Sequence, residues 1–188
     1  DNLPAGDYTV SVIPDPGSWY DSSVTLESTW DYDDQGTPSD QNTDNTADFT
    51  LAAGEDNFDI DFGVRGNGSI SEWVFFDVNN SGGDYQPGVD LGIGGVDLTL
   101  EGDVDGDGNP DYTLTTTTAD DGSYSFDTLL PGEYTVTVDT TDLPQGMSQV
   151  YDPGGAPLDN AHTLTLNDGD DITTVNFGYI GDGSIEEY

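Results

Sequence analysis

Asp103, Asp105, Asp107 and Asp111 fall within one stretch of nine residues, "DVDGDGNPD", 103–111. Carboxylates this close repel one another, and loss of solvent makes the repulsion worse. Lysine could relieve it, but the chain has none; Arg65 is its one lysine-or-arginine residue, against 39 acidic residues. The spacing offers a different relief. With Asp103 at loop position 1, Asp105 and Asp107 stand at 3 and 5, Gly108 at 6, the carbonyl of Asn109 at 7 and Asp111 at 9. This is the opening of an EF-hand-type loop. Alternate side chains of a tightly curled loop converge on one point, and glycine permits the sharp turn at position 6. A calcium ion takes about six to eight oxygens at roughly 2.3–2.6 Å, and converts mutual repulsion into shared attraction. Position 12 of the pattern, a bidentate glutamate, is Leu114 here. Asp120 and Asp121, in "TADDGSY", are the candidates to replace it, provided a hairpin return or a neighbouring strand brings them near. The alternative for the whole stretch is a plain Asp-Gly hairpin turn.

A second stretch, "DVNNSGGDYQPGVD" (77–90), sets Asp77, Asn79 and Ser81 at positions 1, 3 and 5 and Gly82 at 6. Its later part is stretched, leaving Asp84 and Asp90 as closing ligands. Fewer formal charges make it the weaker site, and an Asn-Gly-rich surface loop is the alternative. A third stretch, "DYDDQG" (31–36), offers Asp31, Asp33 and Gln35, with a solvated acidic loop as the favoured reading. "NDGDD" (167–171) reads as a turn between strands. Asn67 and Asn79 each open an Asn-x-Ser sequon, and at Asn79 glycosylation would compete with the ligand role.

The elements that must position these loops show a period of two. "VDLTL" (96–100), "EYTVTV" (133–138), "HTLTL" (162–166) and "TTVNFGY" (173–179) alternate apolar and polar residues between Gly, Pro, Asp and Asn punctuation. No window has a convincing helical period. The expected fold is all-β, a sandwich of short antiparallel strands with no significant helix. Repeats divide the 188 residues. "LPAGDYTVSV" (3–12) matches "LLPGEYTVTV" (129–138). "WDYDDQGTP" (30–38) matches "QVYDPGGAP" (149–157), pairing Tyr32 with Tyr151 and Asp33 with Asp152. "FDIDFGVRGNGSISEW" (58–73) matches "TTVNFGYIGDGSIEEY" (173–188). The expected organisation is tandem: the C-terminal half of a sandwich at 1–67, a complete repeat at 68–180, and at 181–188 the start of a further repeat. That last segment is either a slice of a longer array or a strand donated to another copy's half unit.

The ordered set "GSISEWVFFDVNN", "LGIGGVDLTL", "DVDGDGNPDY", "TTTADDGSYSFDTLLPGEYTVTV", "VYDPGG" and "VNFGY" resembles the B-type repeat domains of serine-aspartate repeat surface proteins. These are relatives of the collagen-adhesin B-type, prealbumin-like sandwiches. The resemblance covers all of the complete unit and most of the half unit. It implies a seven-stranded Greek-key sandwich and a calcium-stabilised stalk in a large extracellular or cell-surface protein. It also implies calcium at 77–90, with a glutamate where Asp90 aligns. Collagen-adhesin B-type domains often carry a lysine–asparagine isopeptide bond; without lysine, none can form within this chain.

The composition narrows the function. A formal charge of −38 repels nucleic acid and anionic lipid. No apolar run is long enough to span a membrane. Without a charged-then-apolar leader, the chain reads as mature or as a fragment. Cysteine is absent, so neither disulfides nor thiolate chemistry is available. His162 lies on the expected inner face of a strand and reads as a core histidine; Arg65 reads as a structural pair with a carboxylate. No constellation supplies a poised nucleophile or base, so the chain is read as non-enzymatic. The leading function is a calcium-stiffened module of an extracellular fibre or stalk, partnered end to end by copies of itself or neighbouring repeats. The alternative is an adhesin module that takes a glycan or protein through its loops, with Trp19, Trp30 and Tyr32 as candidate contacts.

Overall fold

In the computed structural model, residues 3–11, 27–31, 46–56 and 62–183 are described. Alternation dictates strands throughout, and no helix occurs among the described residues. Strands β1 (Gly6–Ser11), β2 (Glu27–Asp31), β3 (Thr46–Leu51) and β4 (Phe62–Arg65) come first. They are followed by β5 (Gly68–Phe76), β6 (Leu91–Gly92), β7 (Asp97–Asp103), β8 (Tyr112–Thr117) and β9 (Ser123–Leu129). The last are β10 (Gly132–Val138), β11 (Met147–Tyr151), β12 (Ala161–Leu166), β13 (Asp171–Ile172) and β14 (Phe177–Gly181).

From Gly68 onward the strands form two facing sheets. One has the order β12-β10-β7-β8; the other is built on β5, which pairs antiparallel with β6 and β9 and parallel with β13 and β14, while β11 adds to β14. β6 and β9 share one side of β5, and β13 and β14 the other. The unit has ten strands, β5 to β14, four in one sheet and six in the other, where the resemblance implies seven. The inward residues of the period-two runs make the core. Ile70, Val74 and Phe75 of β5, Leu98 and Leu100 of β7, Val136 of β10 and Phe177 of β14 are all buried. Two buried tyrosines are held by their hydroxyls. Tyr134 donates to the carbonyl of Leu130 at 2.6 Å, and Tyr124 to that of Val175 at 2.6 Å. Desolvation pushes both phenols far above their ordinary range.

The four strands before Gly68 repeat the pairings of the later ones. β1 pairs β3 as β10 pairs β12, and β2 pairs β4 as β11 pairs β14, all antiparallel. One expected equivalence shifts. Trp30 stands opposite Gly63 as Tyr151 stands opposite Gly178, and in each strand the register slips just before that pair. Trp30 and Asp31, not Tyr32 and Asp33, thus occupy the places of Tyr151 and Asp152. Hydrogen-bond register against the "FG" strand decides equivalence, whereas the sequence match followed the spelling of an aromatic–acid pair. The acidic stretch 32–36, Trp19, Tyr32, residues 184–188 of the expected donated strand, and the side chains of Asp31, Trp30 and Arg65 lie outside the described residues.

Candidate metal centre

The stretch 103–111 joins β7 to β8 and is curled as its spacing requires. Asp103 accepts the N–H of Gly106 on Oδ1 at 2.7 Å and that of Gly108 on Oδ2 at 2.8 Å. Gly106 and Gly108 both have positive φ, 74° and 87°, a conformation that glycine adopts without penalty. Asp111 closes the loop by accepting the N–H of Val104 at 2.8 Å and of Asp105 at 3.2 Å on one oxygen. The result gathers one carboxylate oxygen each from Asp103, Asp105 and Asp111 within 4.8 Å of one another. Asp107 is outside that trio: its Oδ1 accepts the N–H and the side-chain amide of Asn109 at 2.8 and 3.0 Å. The donor set is all oxygen and all formally anionic, which suits a hard divalent cation.

Asp120 and Asp121 do not join this loop. β8 runs from the loop at Tyr112 to Thr117, and both aspartates lie in the turn beyond its far end. Six residues of strand are about 20 Å. Strand β9 does return, but it starts at Ser123, after the turn, so the return carries later residues toward the loop. Asp121 instead accepts the N–H and hydroxyl of Ser123, which lowers its carboxyl below the usual range. Leu114, at position 12, is in β8 opposite Leu100.

The stretch 77–90 follows β5 and repeats the first curl. Asp77 accepts the N–H of Ser81 at 3.0 Å and of Gly82 at 2.8 Å, with Gly82 at φ 63°. The Asp77-to-Gly82 contact matches Asp103-to-Gly108 in residue spacing and length. Asp90 reaches back to the N–H of Val78 and to that of Gln86, at 3.2 and 2.8 Å. Asp77 and Asp90 are buried at 1% and 4% exposure, which spacing alone did not show. Asn79 donates to Gln86 at 3.4 Å, and Ser81 Oγ lies 3.4 Å from Asp77 Oδ2. Asp84 is drawn elsewhere: its Oδ1 accepts the side-chain amide of Asn176 at 2.8 Å. Asp77, Asp84 and Asp90 therefore do not converge as a trio among the described residues.

The two loops occupy opposite poles. Gly68, at the start of β5, pairs with Leu129, and nearby Gly132 and Glu133 lie beside Asp103; Asp77 follows the other end of β5. The turn 167–170 closes on itself, with Asn167 and Asp170 exchanging hydrogen bonds, and docks its Gly169 N–H on Asn67 at 2.9 Å.

Two groupings were not visible in the spacing. Buried Asn176 accepts the N–H of Trp73 at 2.9 Å while holding Asp84. Beside it, burial pushes the Glu72 carboxyl up; the Asn176 hydrogen bond opposes that shift and the charge of Asp84 adds to it. At the pole of the second loop, Asp152 is 3% exposed and its Oδ2 has no hydrogen-bond partner. His162 is half-buried rather than fully in the core; burial lowers its pKa and the Asp152 carboxylate partly offsets this. Alternation alone identified neither Asn176 nor Asp152, because both depend on which strands meet.

The residues from Gly68 onward form an all-β sandwich with an acidic, EF-hand-like loop at one pole and a related loop at the other. Residues 68–179 match the family model of the SdrD B-like domain, and the chain belongs to that family. A fibrinogen-binding protein of Staphylococcus epidermidis is 34% identical over 139 residues, covering 70% of this chain and 12% of that protein. Serine-aspartate repeat-containing protein F of Staphylococcus epidermidis is 32% identical over 182 residues, covering 92% of this chain and 10% of that protein. The chain thus spans about a tenth of the length of these curated relatives. A minor pilin of Streptococcus agalactiae superposes with a TM-score of 0.41 at 12% identity, covering 78% of this chain and 68% of the pilin. The chain is a module of extracellular or cell-surface proteins.

Proposed function

We propose that the chain is a calcium-stabilised structural repeat of an extracellular fibre or stalk. The observation that carries this reading is the carboxylate trio of Asp103, Asp105 and Asp111, gathered in a curled loop of a chain without lysine. Calcium would be held there by Asp103, Asp105 and Asp111, with the Asn109 carbonyl and Asp107 as further oxygens. It would supply positive charge to a loop that has no lysine or arginine of its own. The second site would use Asp77, Asn79, Ser81 and Asp90. Asp84, occupied by Asn176, and Asp120 and Asp121, at the wrong end of β8, are left out of both sets. The chain is read as a half unit at 1–67, a complete unit at 68–180 and the opening of another at 181–188, arrayed end to end and without catalysis. The adhesin alternative is supported by the name of one relative, the fibrinogen-binding protein.

The test compares two alanines. Asp105→Ala removes a trio oxygen and should abolish most of the calcium-induced rise in melting temperature. Asp168→Ala lies in the 167–170 turn at the same pole and should leave that rise intact. Melts by circular dichroism, with calcium and with EDTA, read the difference. Equal losses at both positions would mean general charge relief and would overturn the site.

A further inference from the structure

We infer that the free edge of β8 is a docking site for an extended segment of a partner protein, one that is uncharged and β-branched in its middle and basic at both ends. β8 is an outermost strand of its sheet, and among the described residues it pairs only with β7. The register settles which backbone groups are free. Thr118 N–H bonds the Val96 carbonyl, and Thr117 lies opposite Asp97. Alternation then turns the N–H and C=O groups of Tyr112, Leu114 and Thr116 toward β7, and those of Thr113, Thr115 and Thr117 outward. All three outward residues are exposed.

Such an edge is normally blunted by a lysine, a proline, a bulge or an inward charge. β8 has none of these. The run "YTLTTTTA" (112–119) is free of charge in a chain with 39 acidic residues among 188. Leu114 faces Leu100 of the core layer yet remains 39% exposed, so the sandwich is open along this side. An added strand would extend the ladder and cover Leu114, the mode known as strand addition.

Charge chooses the occupant. The uncharged run is bracketed by the 103–111 loop at one end and by exposed Asp120 and Asp121 at the other. A bound strand with lysine or arginine at each end would meet acid at both. A second copy of this chain would bring a further formal charge of −38 to the edge and is disfavoured.

The test uses two synthetic octapeptides of alternating threonine and valine, one with arginine at both ends and one with glutamate. The full chain is titrated with each in calcium buffer, and amide exchange is followed by NMR. The arginine-ended peptide should bind about tenfold tighter or more, with the gap shrinking at high salt, and should slow exchange at Thr113, Thr115 and Thr117. Thr115→Pro removes an outward N–H without touching the β7 ladder, so the melt should hold while affinity falls about tenfold. Thr163→Pro makes the corresponding change on β12, the other edge of this sheet, and should leave affinity unchanged. Should Thr115→Pro itself unfold the unit, Thr115→Lys, which keeps the backbone and sets a like charge against the arginine-ended peptide, must still weaken that peptide's protection of Thr113 and Thr117. The inference is overturned by equal affinity for the two peptides, by binding of neither, or by loss at Thr163→Pro in place of Thr115→Pro. Self-association that Thr115→Pro abolishes would also overturn it, in favour of pairing between copies.

Discussion

Stripping calcium with EDTA should lower the melting temperature of the complete unit by roughly 10 °C. A ligand that binds only the folded state adds RT ln(1 + [L]/Kd), about 2.7 kcal/mol per site at a hundredfold excess over Kd. Removal has a second cost here. The Asp103, Asp105 and Asp111 oxygens within 4.8 Å of one another would be left to repel, with no lysine anywhere in the chain to compensate. The second loop should add to the loss, because Asp77 and Asp90 are buried carboxylates whose partners are hydrogen-bond donors without full charge. Differential scanning calorimetry in calcium and after EDTA, with metal content measured in both samples, checks this. An unchanged melt in a sample shown to be metal-free would exclude calcium as a stabiliser.

Gly92→Ala should be the most damaging single methyl group in the unit. A Cβ on Gly92 would stand 1.7 Å from the carbonyl oxygen of Asp121 and 2.2 Å from its carbon. Neither is a movable side chain. The turn 119–122 is fixed by Ala119 and Gly122 bonds to Ser123, Ala119 and Val74, and Gly122 itself has φ 81°. Relief would therefore pull β6 away from β5 and open the core at Ile93 and Val74. A loss of about 4 kcal/mol or more is expected, the range reserved for backbone collisions and core rupture. Gly183→Ala, where an added Cβ has nothing within 4 Å, is the matched control. Urea denaturation of both variants reads the contrast, and similar midpoints would show that the 119–122 turn yields easily.

The alternating runs were enough to place β7, β10, β12 and β14, because period two reports which face is buried regardless of partners. The curl of 103–111 was legible for a related reason: aspartate, glycine and their spacing specify a local shape. What depended on pairing was not legible. Asp120 and Asp121 are candidates for the loop only where a hairpin return or a neighbouring strand brings them near, and the return strand begins after them. Spacing makes Asp84 a closing ligand of the second loop, but Asn176, 92 residues away along the chain, holds its carboxylate. The equivalence of Trp30 with Tyr151 was hidden by a register slip that leaves no mark in composition. The burial of Asp77 and Asp90 likewise follows from how the loop seats on β5.

The parallel pairing of β5 with β14 bears on force. β5 opens the unit at one pole and β14 closes it at the other, and the two lie side by side with Val74, Phe75 and Phe76 matched to Phe177, Gly178 and Tyr179. Tension transmitted along a tandem chain pulls Gly68 and Gly181 in opposite directions, parallel to both strands. The bonds between them are then sheared together and not unzipped one at a time. β13 adds a second patch of the same geometry at Ser69 and Ile70. Rupture under load is governed by the unfolding barrier and not by the equilibrium stability. A unit loaded in this way is expected to resist pulling out of proportion to its melting temperature. Constant-force stretching of the chain would show this as a single high-force event, and gradual low-force extension would show that the strands peel.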